Sequence, residues 1–133
     1  MQYENIEFET QNGVGIIRLN RQDVLNSFNY PMAKEAHHAL DECEKNEAIR
    51  AIVFTANGRG FCAGQDLEEA MEDGAPSISE IVDHTYSPLI KRIRNIEKPV
   101  IGAINGVAAG AGANIALSFD ITFAGESASF IQS

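Results

Sequence analysis

Ile6, Phe8 and Thr10 alternate with Glu7, Glu9 and Gln11, Asn12-Gly13 interrupts the alternation, and Val14 to Leu19 supplies a second β-rich run. A period of two on either side of an Asn-Gly pair predicts a β-hairpin. From Tyr30-Pro31 to Asn46 the period changes: Met32, Ala36, Ala39, Leu40 and Cys43 recur at helical spacing, with Asn29 placed to cap and Pro31 in the tolerated first turn. An amphipathic helix is expected there. Ala51 to Ala56 is a short apolar run closed by Asn57-Gly58, which predicts a strand buried on both faces.

Asp66 to Asp73 reads as an acidic helical turn or two, broken by Gly74-Ala75-Pro76, after which Ser77 or Ser79 is placed to cap another helix. That helix sets Ile81, Leu89, Ile93 and Ile96 among polar residues, carries a kink point at Ser87-Pro88 and stops before Pro99. Val100 to Ile104 predicts a second buried strand and Asn105-Gly106 a turn. A small-residue stretch then leads into Ala113 to Leu117, and β character returns at Ile121 to Ala124 and at Ser129 to Ile131. Strands alternating with helices imply an α/β architecture with parallel strands. No repeat or linker divides the chain, so residues 1–133 form a single domain. The pattern stops at Ile131-Gln132-Ser133 without a closing helix, and the domain is expected to be incomplete, its C-terminal part missing.

Composition narrows the function classes. A chain of 133 residues with 44% hydrophobic and 22% charged residues suits a folded, soluble domain and not a disordered one. Ten Lys and Arg against nineteen Asp and Glu give a formal charge of −9, which argues against nucleic acid or an anionic membrane as a partner. Cys43 and Cys62 lack disulfide or metal-ligand spacing, so no metal is expected and a cytoplasmic, reducing compartment fits. Met1-Gln2-Tyr3-Glu4 does not open an export signal, and no apolar run is long enough to span a bilayer.

Two segments rich in small residues each follow a buried strand: Gly58-Arg59-Gly60-Phe61-Cys62-Ala63-Gly64-Gln65-Asp66-Leu67 and Asn105-Gly106-Val107-Ala108-Ala109-Gly110-Ala111-Gly112-Ala113-Asn114. Each ends where a helix should begin. Unpaired N–H groups at two converging helix starts would suit a developing oxyanion. A dinucleotide fingerprint fails, because its third glycine would fall at Ile115 and Glu126 comes too early to hold the ribose. Neither a phosphate-cradling Gly-Lys-Ser/Thr nor a Gly-x-Ser-x-Gly elbow occurs.

Together these segments resemble the enoyl-CoA hydratase/isomerase, or crotonase, family. The resemblance runs through Ile16-Ile17-Arg18-Leu19-Asn20-Arg21, Leu25-Asn26-Ser27-Phe28, Gly60 to Leu67, Lys98 to Gly106 and Ser118-Phe119-Asp120-Ile121. It implies a crotonase-like spiral of ββα units that binds an acyl-CoA thioester and stabilises its enolate. By matching positions, the backbone N–H groups of Ala63 and Ala111 would form the oxyanion hole. Ala63, Gly64, Gln65, Asp66 and Leu67 would line the acyl and pantetheine path with Gly110 and Asn114, and Arg21, Val24 and Leu25 would lie against the CoA moiety. No cofactor is implied beyond the coenzyme A of the substrate, and the complete protein would be a homotrimer or a dimer of trimers.

The resemblance also implies where the chemistry diverges. Hydratases of the family use two glutamates; the first aligns with Asn114, whose amide cannot serve as a general base, and the second would fall beyond Ser133. That pattern resembles the epoxyphenylacetyl-CoA isomerase branch of phenylacetate degradation. Isomerisation of an enoyl-CoA is therefore expected, with hydration of a trans-2-enoyl-CoA and a non-catalytic acyl-CoA-binding fragment as alternatives.

Other polar residues have plainer readings. Asp66 suits a helix cap and Asp120 a structural turn. Cys62 lacks a basic partner and reads as inert. His37 and His38 suit a solvated helix face, and the basic residues Lys91, Arg92, Arg94 and Lys98 another, although they could also meet CoA phosphates. Tyr3, Tyr30 and Tyr86 show no partner in the sequence.

Overall fold

The computed structural model describes residues 2–66 and 86–131. The expected acidic turn after Asp66, the break at Gly74-Ala75-Pro76, the caps Ser77 and Ser79, the helix start at Ile81 and the site residue Leu67 lie outside them.

Strands β1 (Ile6–Gln11) and β2 (Val14–Leu19) pair antiparallel from Ile6↔Leu19 to Gln11↔Val14. Asn12 and Gly13 take φ of 52° and 81°, the left-handed pair that a tight hairpin turn requires. Helix α1 (Tyr30–Lys45) starts where its cap predicts, with Asn29 Oδ1 accepting from the Met32 N–H at 3.0 Å. Its apolar stripe, Met32, Ala36, Ala39, Leu40 and Cys43, is fully buried. Close approach to β2 depends on Gly15, where a Cβ would stand 2.6 Å from Cys43 Sγ.

Strand β3 (Ala51–Ala56) pairs parallel with β2 and β5 (Val100–Ile104), and β7 (Ile121–Ala124) adds parallel to β5, giving the order β1-β2-β3-β5-β7. Only one face of β3 is fully buried: Ile52, Phe54 and Ala56 are inside, while Ala51, Val53 and Thr55 are half-buried. The expectation of burial on both faces therefore fails: Phe54 packs on Phe61 and Phe119, whereas the opposite face is half-buried.

A second, parallel sheet was legible in the sequence only at its last strand, Ser129–Ile131. It consists of three-residue strands, β4 (Gly60–Cys62), β6 (Val107–Ala109) and β8 (Ser129–Ile131), in the order β4-β6-β8. Each follows a long strand of the first sheet, so β3-β4, β5-β6 and β7-β8 climb as successive turns of a spiral. Phe61, Phe54 and Phe119 fill the space beneath, with ring centroids 5.5 to 6.5 Å apart. Gly102 admits Phe119, whose ring would overlap a Cβ at that position.

Helix α2, described over Tyr86–Asn95, buries Leu89 and Ile93 and lies against α1. Arg92 pairs with Asp41 at 2.5 Å and Glu44 at 3.5 Å, and Lys98 Nζ donates to the carbonyls of Cys43 and Asn46 at the end of α1. Two members of the basic cluster thus hold helices together. The short α3 (Ala111–Ala116) follows β6 directly. Among the described residues no helix is long and apolar enough to cross a membrane.

Candidate active site

The site is built where β4 ends. Beyond Cys62 the chain leaves β6 and runs beside Phe28: the Phe28 N–H donates to the Gly64 carbonyl at 2.7 Å, and the Asp66 N–H donates to the Phe28 carbonyl at 2.9 Å. These two bonds make a parallel bridge between Phe28 and Gln65. In such a bridge the central residue turns its own N–H to the opposite side, so the Gln65 amide is directed away from Phe28. Gly64 has φ of 109°, a conformation closed to side-chain-bearing residues, and a Cβ on it would stand 3.2 Å from the Ala109 carbonyl.

From the other side comes the turn between β6 and α3. Gly110 occupies the cap position with φ of 54° and ψ of −121°, accessible to glycine alone. Gly112 lies so close to the Cys62 carbonyl that a Cβ would overlap it. The two small-residue segments therefore abut. Ala111 is the first residue of α3, and its N–H has no acceptor within the helix.

One expected donor is already engaged. The Ala63 N–H donates to the Leu25 carbonyl at 3.1 Å, which ties β4's end to the preceding loop and withdraws this amide from an oxyanion role. The difference arises because Ala63 lies before the chain crosses to Phe28, whereas Gln65 lies within the bridge.

The remaining candidates divide by position. Arg21 was expected along the CoA moiety, yet its guanidinium turns inward to the Asp66 carboxylate at 2.8 Å. Val24 is exposed on a short 3-10 turn (Gln22–Val24), and Leu25 packs on Gly60. Asn114 is exposed on α3, one turn beyond Gly110. Asp120 exchanges hydrogen bonds with Val100, its Oδ2 accepting at 2.8 Å, and so fixes the start of β5.

Burial pushes the Cys62 thiol up to about 12, against only a weak bond to the Gly64 carbonyl, which matches an inert role. His38 differs from the solvated-face expectation: its Nδ1 lies 2.7 Å from Tyr3 Oη, giving that tyrosine a partner 35 positions along the chain. Asn26 was missed as a site-building residue. Its Nδ2 donates to the carbonyls of Asn57 and Gly60 at 2.9 and 2.8 Å, and although the Leu25-Asn26-Ser27-Phe28 run carries part of the resemblance, nothing in it signals the φ of 57° or these bonds.

The profile of the enoyl-CoA hydratase/isomerase family matches residues 9–133. The chain belongs to this family. It is 44% identical to the 1,2-epoxyphenylacetyl-CoA isomerase of Escherichia coli over 97% of this chain and 50% of that protein. A Rhodobacter capsulatus protein named "Probable enoyl-CoA hydratase" is 42% identical over 99% of this chain and 50% of its own length. Among solved structures, an enoyl-CoA hydratase/isomerase from Xanthobacter autotrophicus superposes with a TM-score of 0.82 at 30% identity, covering 97% of this chain and 49% of that one. The chain thus spans about half the length of the relatives it matches. The two sheets and the spiral of short and long strands are the crotonase fold expected from the motifs.

Proposed function

We propose that this chain supplies the thioester-polarising part of an enzyme that isomerises enoyl-CoA substrates. The carrying observation is the contact between the end of β4 with its following segment and the start of α3, where Gly112 meets the Cys62 carbonyl and Gly64 lies against the Ala109 carbonyl. In this reading the thioester oxygen is received by the amides of Ala111, at a helix start, and Gln65, turned away from Phe28 by the bridge. They hold the thioester oxygen as it gains charge; one aimed donor of this kind contributes about 3 kcal/mol. Gly64 and Gly110 let the acyl group approach the backbone itself.

With the oxygen held, a proton leaves the carbon beside the carbonyl and returns at another carbon, moving the double bond. Asn114 cannot take that proton, because an amide has no basic lone pair at neutral pH, so a carboxylate elsewhere in the complete protein serves as the shuttle. This favours isomerisation over water addition, which in this family engages two glutamates. Hydration is the second reading, supported by the 42% identical relative. A trimeric, cytoplasmic complete enzyme belongs to the same proposal, and so does the reliance on substrate CoA alone.

The test is to incubate the purified full-length protein with 3-enoyl-CoA and with trans-2-enoyl-CoA and follow both products. Double-bond migration faster than water addition supports the proposal. Hydration as the faster reaction replaces it with the second reading, and acyl-CoA binding without either product reduces the protein to a binding module.

A further inference from the structure

The loop from Arg21 to Phe28 does more than border the site. Arg21 Nη1 donates to the Ser27 carbonyl at 2.7 Å, and Nη2 donates to Asp66 Oδ2 at 2.8 Å, with side chains only 17% and 11% exposed. The loop closes on itself as well: the Arg21 N–H donates to Asn26 Oδ1 at 2.7 Å, and the Asn26 N–H donates to the Arg21 carbonyl at 2.9 Å. From this knot Leu25 accepts from Ala63, and Phe28 both donates to Gly64 and accepts from Asp66. The loop is therefore a template strand for the 63–66 segment, and one guanidinium joins the template to the segment's last residue.

We propose that Arg21 is a positioning residue, acting through Asp66 to fix the direction of the Gly64–Asp66 peptides. The inference rests on the reading of that segment as carbonyl-polarising. A planar guanidinium fits because its fork reaches a carbonyl and a carboxylate at once. With both ions largely out of water, removing either leaves the other unpaired, so the bridge acts as a single unit. Small displacements of an aimed donor weaken polarisation strongly while binding contacts persist.

The experiment compares the wild-type chain with Arg21→Gln and Asp66→Asn by two measurements. The first is amide hydrogen exchange at Phe28 and Asp66, with Ile17 and Phe54 as core references. The second is the absorbance of a bound 2,4-dienoyl-CoA, whose conjugated carbonyl shifts to the red when polarised. Both variants are expected to speed exchange at Phe28 and Asp66 by about tenfold or more while the core references hold. They are also expected to lose most of the red shift with dissociation constants changed by less than about threefold. Unchanged exchange at the two amides, or a full red shift in Arg21→Gln, overturns the proposal. A wild-type chain that gives no red shift overturns the carbonyl-polarising reading instead, and exchange alone then decides whether Arg21 positions the segment.

Discussion

The α-carbon of Gly112 rests against the backbone carbonyl of Cys62, in a gap that no side chain fits. This contact sets how closely the start of α3 approaches the end of β4. Gly112→Ala forces the two segments apart, and overpacking of this kind costs about 1–3 kcal/mol. Urea denaturation should show that loss, and titration with an acyl-CoA should show weakened binding. Wild-type stability together with wild-type affinity would refute the tight contact.

Asn26 offers a sharper contrast. Its Nδ2 serves two carbonyls, Asn57 and Gly60, while its Oδ1 accepts from Arg21, and the residue is wholly buried. Asn26→Ala leaves those groups unsatisfied at about 1–3 kcal/mol. Asn26→Asp keeps the shape but turns a donor into an anion facing two carbonyl oxygens, so it should destabilise more than Ala. Thermal unfolding of the two variants orders them, and the reverse order would show that water reaches the pocket.

Why the sequence revealed some of this and not the rest follows from side-chain size. The hairpin, α1 and the long strands are legible because Ile, Phe, Leu and Met at fixed periods must be buried, and the caps Asn29 and Asn12-Gly13 mark their ends. Strands β4 and β6 are too short for a period and consist largely of small residues, so they read as loops. The two small-residue segments are visible as a pair, yet the resemblance that points to Ala63 as a donor carries no hydrogen-bond direction. Only the crossing to Phe28 shows that the Ala63 N–H faces Leu25. Arg21 and Asp66, separated by 45 positions, could not be paired without the fold.

Both thiols are shielded from reagents. Burial raises Cys43 to about 11 and Cys62 to about 12, so at neutral pH neither presents an appreciable thiolate. Iodoacetamide should leave the native chain unmodified over times that label both cysteines in urea. Because the folded value of Cys62 lies above its ordinary 9.0, its contribution to stability is complete below that pH and is lost as pH rises toward 12. Cys62→Ala should flatten the alkaline fall of stability; an unchanged slope would assign it to other groups.

His37 acts in the opposite pH direction. Burial, followed by the nearby Arg92 charge, lowers its pKa from the ordinary 6.5. The unfolded chain therefore takes up the proton first, and stability falls as pH drops below about 6.5 until the folded-state value is passed. His37→Gln removes this term, so its stability profile should be flatter than the wild type's in mildly acidic buffer. Parallel profiles in urea titrations across that range would show that His37 is not the group responsible.

Among the described residues, one edge strand of each sheet, β7 and β8, is apolar and exposed. On β7, Ile121 and Phe123 are 53% and 63% exposed, and on β8, Phe130 and Ile131 are 42% and 53% exposed. Phe123 also borders a hollow of about 340 Å³ lined by Thr55, Ala103 and Ile104. An exposed apolar edge strand offers unpaired backbone groups together with hydrophobic area, which is the combination that recruits another chain. The 133-residue chain should accordingly self-associate as its concentration rises. Replacing Phe123 and Ile131 by Lys places a charge on each edge and should shift sedimentation velocity profiles toward monomer without lowering the unfolding midpoint. A wild-type chain that sediments as a monomer at every concentration would show that these edges do not self-pair.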